Sequence, residues 1–118
     1  MGLLRNRSTG GVLAGRVRFA RGFFERYVGL LPRARVAPDE GLWFEGAHAV
    51  HTLGMRAVVD VVFVDGDGRV LRCQPAVRPW RAHVSCAGAA GVVEMGAGFL
   101  SAAQLNVGDV LALESSDV

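Results

Sequence analysis

Two carboxylates stand alone inside apolar runs of the sequence. Asp60 interrupts "VVDVVFV", and Glu94 interrupts "GVVEM". An ionised carboxylate between apolar strand neighbours must find a cation or several hydrogen-bond donors, or else stay protonated with a raised pKa. Such a group is a candidate for acid–base chemistry, but structural pairs perturb pKa values as well. For Asp60 we therefore favour the structural role, in which it pins the strand through backbone donors or a buried arginine.

A hydrolase-like site can be assembled from these acids if the fold brings them together. Asp60 and Glu94 would be the catalytic carboxylates, His51 the base, and Arg26 or Arg56 an anchor for an anion. All of them would have to converge around one solvent-accessible pocket. The same residues could equally form a buried ion network that fixes the register of the strands.

The histidines do not predict a metal site. His48 and His51 are spaced as "HAVH", which in an extended chain directs them to opposite faces, and no third ligand lies nearby in the sequence. His51, followed by Thr52, is better explained as a hydrogen-bonding residue at the entrance to a strand. His83 and Cys86 resemble a base and a thiol but lack an orienting acid nearby in the sequence. We expect no metal and no cofactor.

The favoured hypothesis is a non-enzymatic domain that binds an unknown small molecule or protein, and the hydrolase-like enzyme is the alternative. It would bind through the segment from His51 to Arg56 and through the loop "RPWRAH", where Trp80 sits between arginines. A tryptophan in that setting can stack on a base or contact a partner, although it more often folds over the core. The candidate binding residues are His51, Thr52, Arg56, Arg26 and Trp80.

Composition limits the classes that remain. A chain of 118 residues with 51% hydrophobic and 20% charged residues is expected to fold as one globular domain. Apolar runs are too short for a membrane span or a secretory signal, so we expect a cytoplasmic location. Residues 1–36 carry eight arginines against one acid, whereas residues 37–118 carry five against ten. This basic front end could meet nucleic acid, but a solvated face paired with the acidic part of the chain is the stronger expectation.

Cys73 and Cys86 are expected to be free thiols, although a disulfide stays open, as does the oligomeric state.

The pattern of residues predicts an α+β fold. "VVDVVFV", "DGDG" and "RVLRCQ" predict a hairpin whose first strand is buried on both faces. Helices are predicted at 22–29 and within "GAGFLSAAQL", and residues 75–90 are predicted to form a loop. We expect a flexible segment at 1–11, one domain at 12–114 and a tail at 115–118. The other predicted strands are "VLAGRVRFA", "GLWFEG", "GVVEM" and a last strand in "NVGDVLAL".

The order of six motifs resembles the Domain-of-Unknown-Function 192 family of small, mostly prokaryotic proteins. They are "RYVGLL", "GLWF", "HTLGMRAVVDVVFVDGDGRV", "RPW", "GVVEMGAG" and "VGD". The family's motif positions fall here on Arg26, Asp60, Glu94 and Asp109, while Gly54 replaces a tryptophan of many members. The resemblance implies a compact, strongly curved, mainly antiparallel and partly barrel-like sheet with two or three short helices. It implies no established activity.

Overall fold

The computed structural model describes residues 2–20, 35–47, 49–50, 57–78 and 84–115. Strands make up 56% of these residues and helix 6%. A single helix, α1 (Phe99–Ala103), occurs in this part of the chain. The strands are β1 (Gly2–Asn6), β2 (Val12–Ala20), β3 (Glu40–Glu45), β4 (Ala49–Val50), β5 (Val59–Val64), β6 (Val70–Val77), β7 (Val84–Ser85), β8 (Gly91–Gly96) and β9 (Leu111–Ser115).

Seven of these strands form one sheet in the order β6-β5-β8-β3-β2-β1-β9, and β4 pairs with β7 in a separate two-stranded sheet. Strands β2 and β3 run parallel, and every other pair in the large sheet is antiparallel. Each strand joins a neighbour by backbone hydrogen bonds, so the middle of the sheet can hold polar backbone away from water.

The α+β expectation with two or three helices in a partly barrel-like sheet is wrong. The described residues are mostly β, and the sheet is not closed. Its edge strands β6 and β9 meet only at one corner, where Arg69 and Val110 form an isolated antiparallel bridge. Because the pairing is antiparallel there, β6 and β9 run away from that corner in opposite directions and cannot pair along their length. The helix predicted at 22–29 lies outside the described residues, as do residues 116–118 of the tail predicted at 115–118, whereas Ser115 is the last residue of β9.

Apolar side chains pack on both faces of the central part of the sheet. Every residue of β5 and β8 is buried, which confirms the prediction of a strand with two apolar faces. Side chains alternate along a strand, so Val61 and Phe63 belong to one core cluster and Val62 and Val64 to the other. We call the cluster that contains Phe63 the first core and the cluster that contains Val62 the second core. Within the described residues no helix is long and apolar enough to cross a bilayer.

The N-terminal residues are part of the sheet rather than a flexible segment. β1 lies between β2 and β9, and Leu4 is completely buried in the second core. The pentapeptide "GLLRN" is too short to show an alternating pattern, so the sequence gives little sign of this strand. Its order comes from two neighbouring strands that satisfy its backbone on both sides.

The hairpin between β5 and β6 forms as predicted. One carboxylate oxygen of Asp65 accepts hydrogen bonds from the backbone N–H groups of Asp67 at 2.9 Å and Arg69 at 3.0 Å. The β6 strand then continues through Pro75, which the sequence placed in a loop. Proline is tolerated because β6 is an edge strand with an irregular register opposite Asp60.

Candidate functional site

Asp60 is fixed in β5 by two backbone donors. Its side chain is 2% exposed and belongs to the face of the second core. Oδ1 accepts a hydrogen bond from the N–H of Ala76 at 2.8 Å, and Oδ2 accepts one from the N–H of Leu100 at 2.9 Å. Each oxygen therefore satisfies a backbone group that no strand or helix bond would otherwise reach.

These two donors come from irregular places in the fold. Ala76 has φ of +52° and lies where the β5–β6 register shifts, between the pairs Val59–Val77 and Val61–Gln74. The extra residue in β6 turns its N–H toward Asp60. Leu100 lies in the first turn of α1, whose cap residue Gly98 has no side chain to accept such a bond. Asp60 thus links a β-bulge to the start of the helix.

Glu94 occupies a different side of the sheet. It is fully buried in β8, where it lies opposite Val61 of β5 and Leu42 of β3. Directly opposite residues of antiparallel strands share a face, so Glu94 points into the first core with Val61. Asp60 lies opposite Met95 and points into the second core. The two carboxylates therefore do not approach one another, although Glu94 does have an interaction partner.

The other predicted site residues lie outside the described part of the chain. They are Arg26, His51, Thr52, Arg56 and Trp80, together with His48 and His83. Their roles as binding or catalytic groups stay predictions. In the ranges that the structure does describe, no group of three or more histidine, cysteine or acidic side chains is arranged to hold a metal.

A cluster of polar groups that the sequence did not predict joins β1 to the loop before β9. Asn6 is 2% exposed and donates from Nδ2 to Oδ2 of Asp109 at 3.0 Å. The same oxygen accepts the N–H of Asn106, and Oδ1 of Asn6 accepts the N–H of Ser8, each at 3.0 Å. Asp109 belongs to the motif "VGD", but Asn6 carries no sequence signal because its partner lies 103 positions away in the chain.

Two arginines of the basic front end form exposed ion pairs with acids from the rest of the chain. Arg5 bonds Glu114 through Nε at 2.8 Å, and Arg16 bonds Asp39 through Nη2 at 2.8 Å. The hydrogen bond from Arg16 lowers the pKa of the Asp39 carboxyl. Exposed pairs of this kind add little to stability, but they reduce the positive potential of the N-terminal third.

Both cysteines are free and half-buried, as the sequence predicted. Burial raises the pKa of the Cys73 thiol, and the negative charge of Asp109 raises it further. The thiolate is the reactive form, so less of Cys73 is reactive at a given pH in the folded protein.

Alkylation should reveal this protection. At pH 8 we expect iodoacetamide to modify Cys73 about tenfold more slowly in the folded chain than in the urea-unfolded chain. Because the pKa is raised, the rate in the folded chain should keep increasing at pH values where the unfolded chain has reached its plateau. Peptide mass spectrometry measures both rates, and equal rates would contradict a buried, thiol-form Cys73.

The fold and the buried aspartate define a class of small β protein, in which one open sheet carries a carboxylate that fastens a bulge to a short helix. The chain belongs to the DUF192 family, described as Uncharacterized ACR, whose model matches residues 4–113. This confirms the family resemblance of the sequence motifs and extends it to include most of β1.

Relatives match over most of the chain. A UPF0127 protein of Thermococcus sibiricus is 31% identical over 119 residues, which covers 95% of this chain and 75% of the relative. A UPF0127 protein of Pyrococcus furiosus is 34% identical over 98 residues, covering 80% of this chain and 84% of the relative. A crystal structure from Sinorhizobium meliloti, of a protein provisionally described as a transcription regulator, has a TM-score of 0.76 at 25% identity and covers 95% of this chain and 91% of that one.

Proposed function

We propose that the protein is a non-catalytic binding domain for a small molecule or a protein. The observation that carries this proposal is the arrangement of Asp60, both of whose oxygens are engaged by backbone N–H groups inside the core. A carboxylate in acid–base or nucleophilic catalysis must contact the substrate or its bound water. Asp60 is held for a structural task instead.

The position of Glu94 argues against the hydrolase-like alternative in the same way. That mechanism needs Asp60 and Glu94 around one solvent-accessible pocket, whereas the side chains are 2% and 0% exposed and point to opposite faces. Two carboxylates that share one substrate must lie on the same side of a sheet, because the sheet itself blocks access from the other side.

The proposed binding residues are His51, Thr52, Arg56, Arg26 and Trp80, on chemical grounds taken from the sequence. Support comes from the described residues that flank their segments. Ala20 and Val36 flank residues 21–34, Ala57 follows residues 51–56, and Val77 and Val84 lie beside residues 79–83; all five belong to the first core. The described residues next to the three segments therefore share one core cluster, which supports the proposal of a shared binding surface.

Nucleic acid is the weaker alternative. The provisional description of the Sinorhizobium meliloti protein as a transcription regulator favours it. Against it, Arg5 and Arg16 are already paired with Glu114 and Asp39, so they do not form a continuous basic track for phosphates.

The test is a thermal-shift screen of the purified chain against metabolites, peptides and metal ions. In parallel, chromogenic ester, amide and phosphate substrates are used to detect any catalytic turnover. We expect saturable stabilisation by one ligand without turnover, amounting to about 2.7 kcal/mol at a hundred times the Kd. Arg56→Gln should reduce the ligand response, whereas Arg18→Gln, which removes the same charge at an exposed position on β2, should not.

Two outcomes would contradict the proposal in different ways. Turnover that is abolished by Glu94→Gln, with an unchanged far-UV circular dichroism spectrum, would establish the hydrolase-like alternative. An equal ligand response in the Arg56→Gln and wild-type chains would contradict the proposal that residues 51–56 belong to the binding surface.

A further inference from the structure

We propose that the corner where the two edges of the sheet meet binds a single phosphate-type anion, as carried by a small phosphorylated molecule. An open groove of about 470 Å³ lies there, lined by Arg7, Ser8, Asp67, Arg69 and Val110. None of these residues takes part in the function proposed above, so either proposal can fail without the other.

Cross-strand pairing aligns the two arginines of the groove. Arg7 follows the pair Asn6–Leu111 in the register of β1 and β9, and its N–H donates to the carbonyl of Val110 at 2.7 Å. Val110 also forms the bridge to Arg69 on its other side. Directly paired residues share a face. Arg7 and Arg69 therefore project from the same face on either side of Val110, with Cα atoms about 10 Å apart, two strand spacings.

The donors around this gap are available to a ligand. Nη1 of Arg69 donates to the carbonyl of Gly108 at 3.0 Å, which orients the guanidinium and leaves its other N–H groups for an anion. In the described part of the chain the exposed side chain of Arg7 has no hydrogen-bond partner. Ser8 Oγ accepts the N–H of Val110 at 3.1 Å, so its own proton remains to be donated. Two guanidinium groups and a hydroxyl match the tetrahedral oxygens of phosphate.

The charges nearby limit the ligand to one anionic group. Arg5 lies two residues before Arg7 in the chain, and its guanidinium already donates hydrogen bonds to Glu114 and to the carbonyl of Gly10. The carboxylate of Asp67 lines the same groove and would repel a second phosphate. Arg7 and Arg69 are therefore the two cations that line this groove, and one such pair suits a single phosphate group better than the repeating backbone of a nucleic acid.

The experiment is a titration of the ¹⁵N-labelled full chain with inorganic phosphate at low, constant ionic strength, followed by NMR. We expect saturable shifts at the amides of Ser8, Arg69 and Val110. Arg7→Gln should weaken binding about tenfold, because it removes one of two charge-assisted contacts. Arg18→Gln removes an equal charge from β2, outside the groove, and should change the affinity less than about twofold. Asp67→Asn should tighten binding about threefold by removing the nearby negative charge.

The outcomes separate the alternatives. Absence of saturable shifts, or equal weakening by Arg7→Gln and Arg18→Gln, would overturn the proposal, because the latter indicates only the net charge of the protein. A twelve-nucleotide single strand that binds more tightly than phosphate, with affinity falling steeply in salt, would replace the proposal by nucleic-acid binding. Weakening by Asp67→Asn would also contradict it, because that carboxylate would then be part of the binding site.

Discussion

Asp60→Asn is expected to lower the free energy of unfolding by about 3 kcal/mol. The carboxylate accepts one backbone N–H on each oxygen, from Ala76 and from Leu100. Asparagine has one acceptor oxygen and one NH2 group, so in either orientation the NH2 faces a backbone N–H. That contact leaves two donors unsatisfied in a site that is 2% exposed. Urea denaturation measures the loss, and the midpoint of thermal unfolding should fall by roughly 10 °C.

Asp65→Asn is the matched control for this change. Asp65 also accepts two backbone N–H groups, but both reach the same oxygen, Oδ1. An asparagine can present its single carbonyl oxygen to both donors, and the turn is open to solvent. We expect this variant to lose less than about 1 kcal/mol.

A stable Asp60→Asn protein would contradict the structural role. If it unfolded at the same denaturant concentration as the wild-type chain, the bulge and α1 would not depend on this carboxylate. Asp60 would then again be a candidate catalytic residue, and its hydrogen bonds would no longer support a non-catalytic domain.

Gly68→Ala is expected to cost about 3 kcal/mol as well, by a different mechanism. Gly68 has φ of +85°, a conformation that costs alanine about 1 to 2 kcal/mol. In addition, a Cβ atom at this position would collide with the backbone carbonyl oxygen of Leu111. The backbone cannot shift to relieve this collision without breaking the contact between the two edges of the sheet. The N–H of Leu111 donates to the carbonyl of Gly68 at 2.8 Å. Its hydrogen exchange should therefore accelerate in the variant, in parallel with the loss of stability measured by urea.

Gly10→Ala separates the two contributions. Gly10 has φ of +84°, nearly the same as Gly68, but no atom lies within 4 Å of the position its Cβ would take. We expect this variant to be destabilised only by the conformational cost, about 1 to 2 kcal/mol. Equal losses of stability in the Gly68→Ala and Gly10→Ala variants would show that the backbone near Leu111 shifts to accommodate the extra methyl group. The two sheet edges would then not be tightly held together at this point.

Local sequence patterns were sufficient for most of the strands. Asp-Gly dipeptides between valine-rich and alternating runs predicted the β5–β6 hairpin, and the Gly-rich stretch before Phe99 predicted α1. These elements are set by short-range chemistry, namely turn residues that tolerate unusual φ and apolar residues at a period of two. The fold class was missed because the number of helices and the closure of the sheet depend on how the elements assemble.

Elements that are short or that depend on a distant partner could not be predicted in this way. β1 is five residues long and is ordered by β2 and β9, the latter more than a hundred positions along the chain. Asn6 and Asp109 likewise find each other only after the sheet has formed. Pro75 appeared to end a strand, yet β6 passes through it because an edge strand needs no N–H on its open side.

The sequence by itself determined that Asp60 would be buried in a strand with two apolar faces and would need donors there. Only the tertiary structure decided which donors those are, because the bulge at Ala76 and the first turn of α1 meet Asp60 from 16 and 40 residues away. It also decided that Asp60 and Glu94 lie on opposite faces, since that depends on the pairing of β5 with β8. A shift of one residue in this register would have put both acids on the same face.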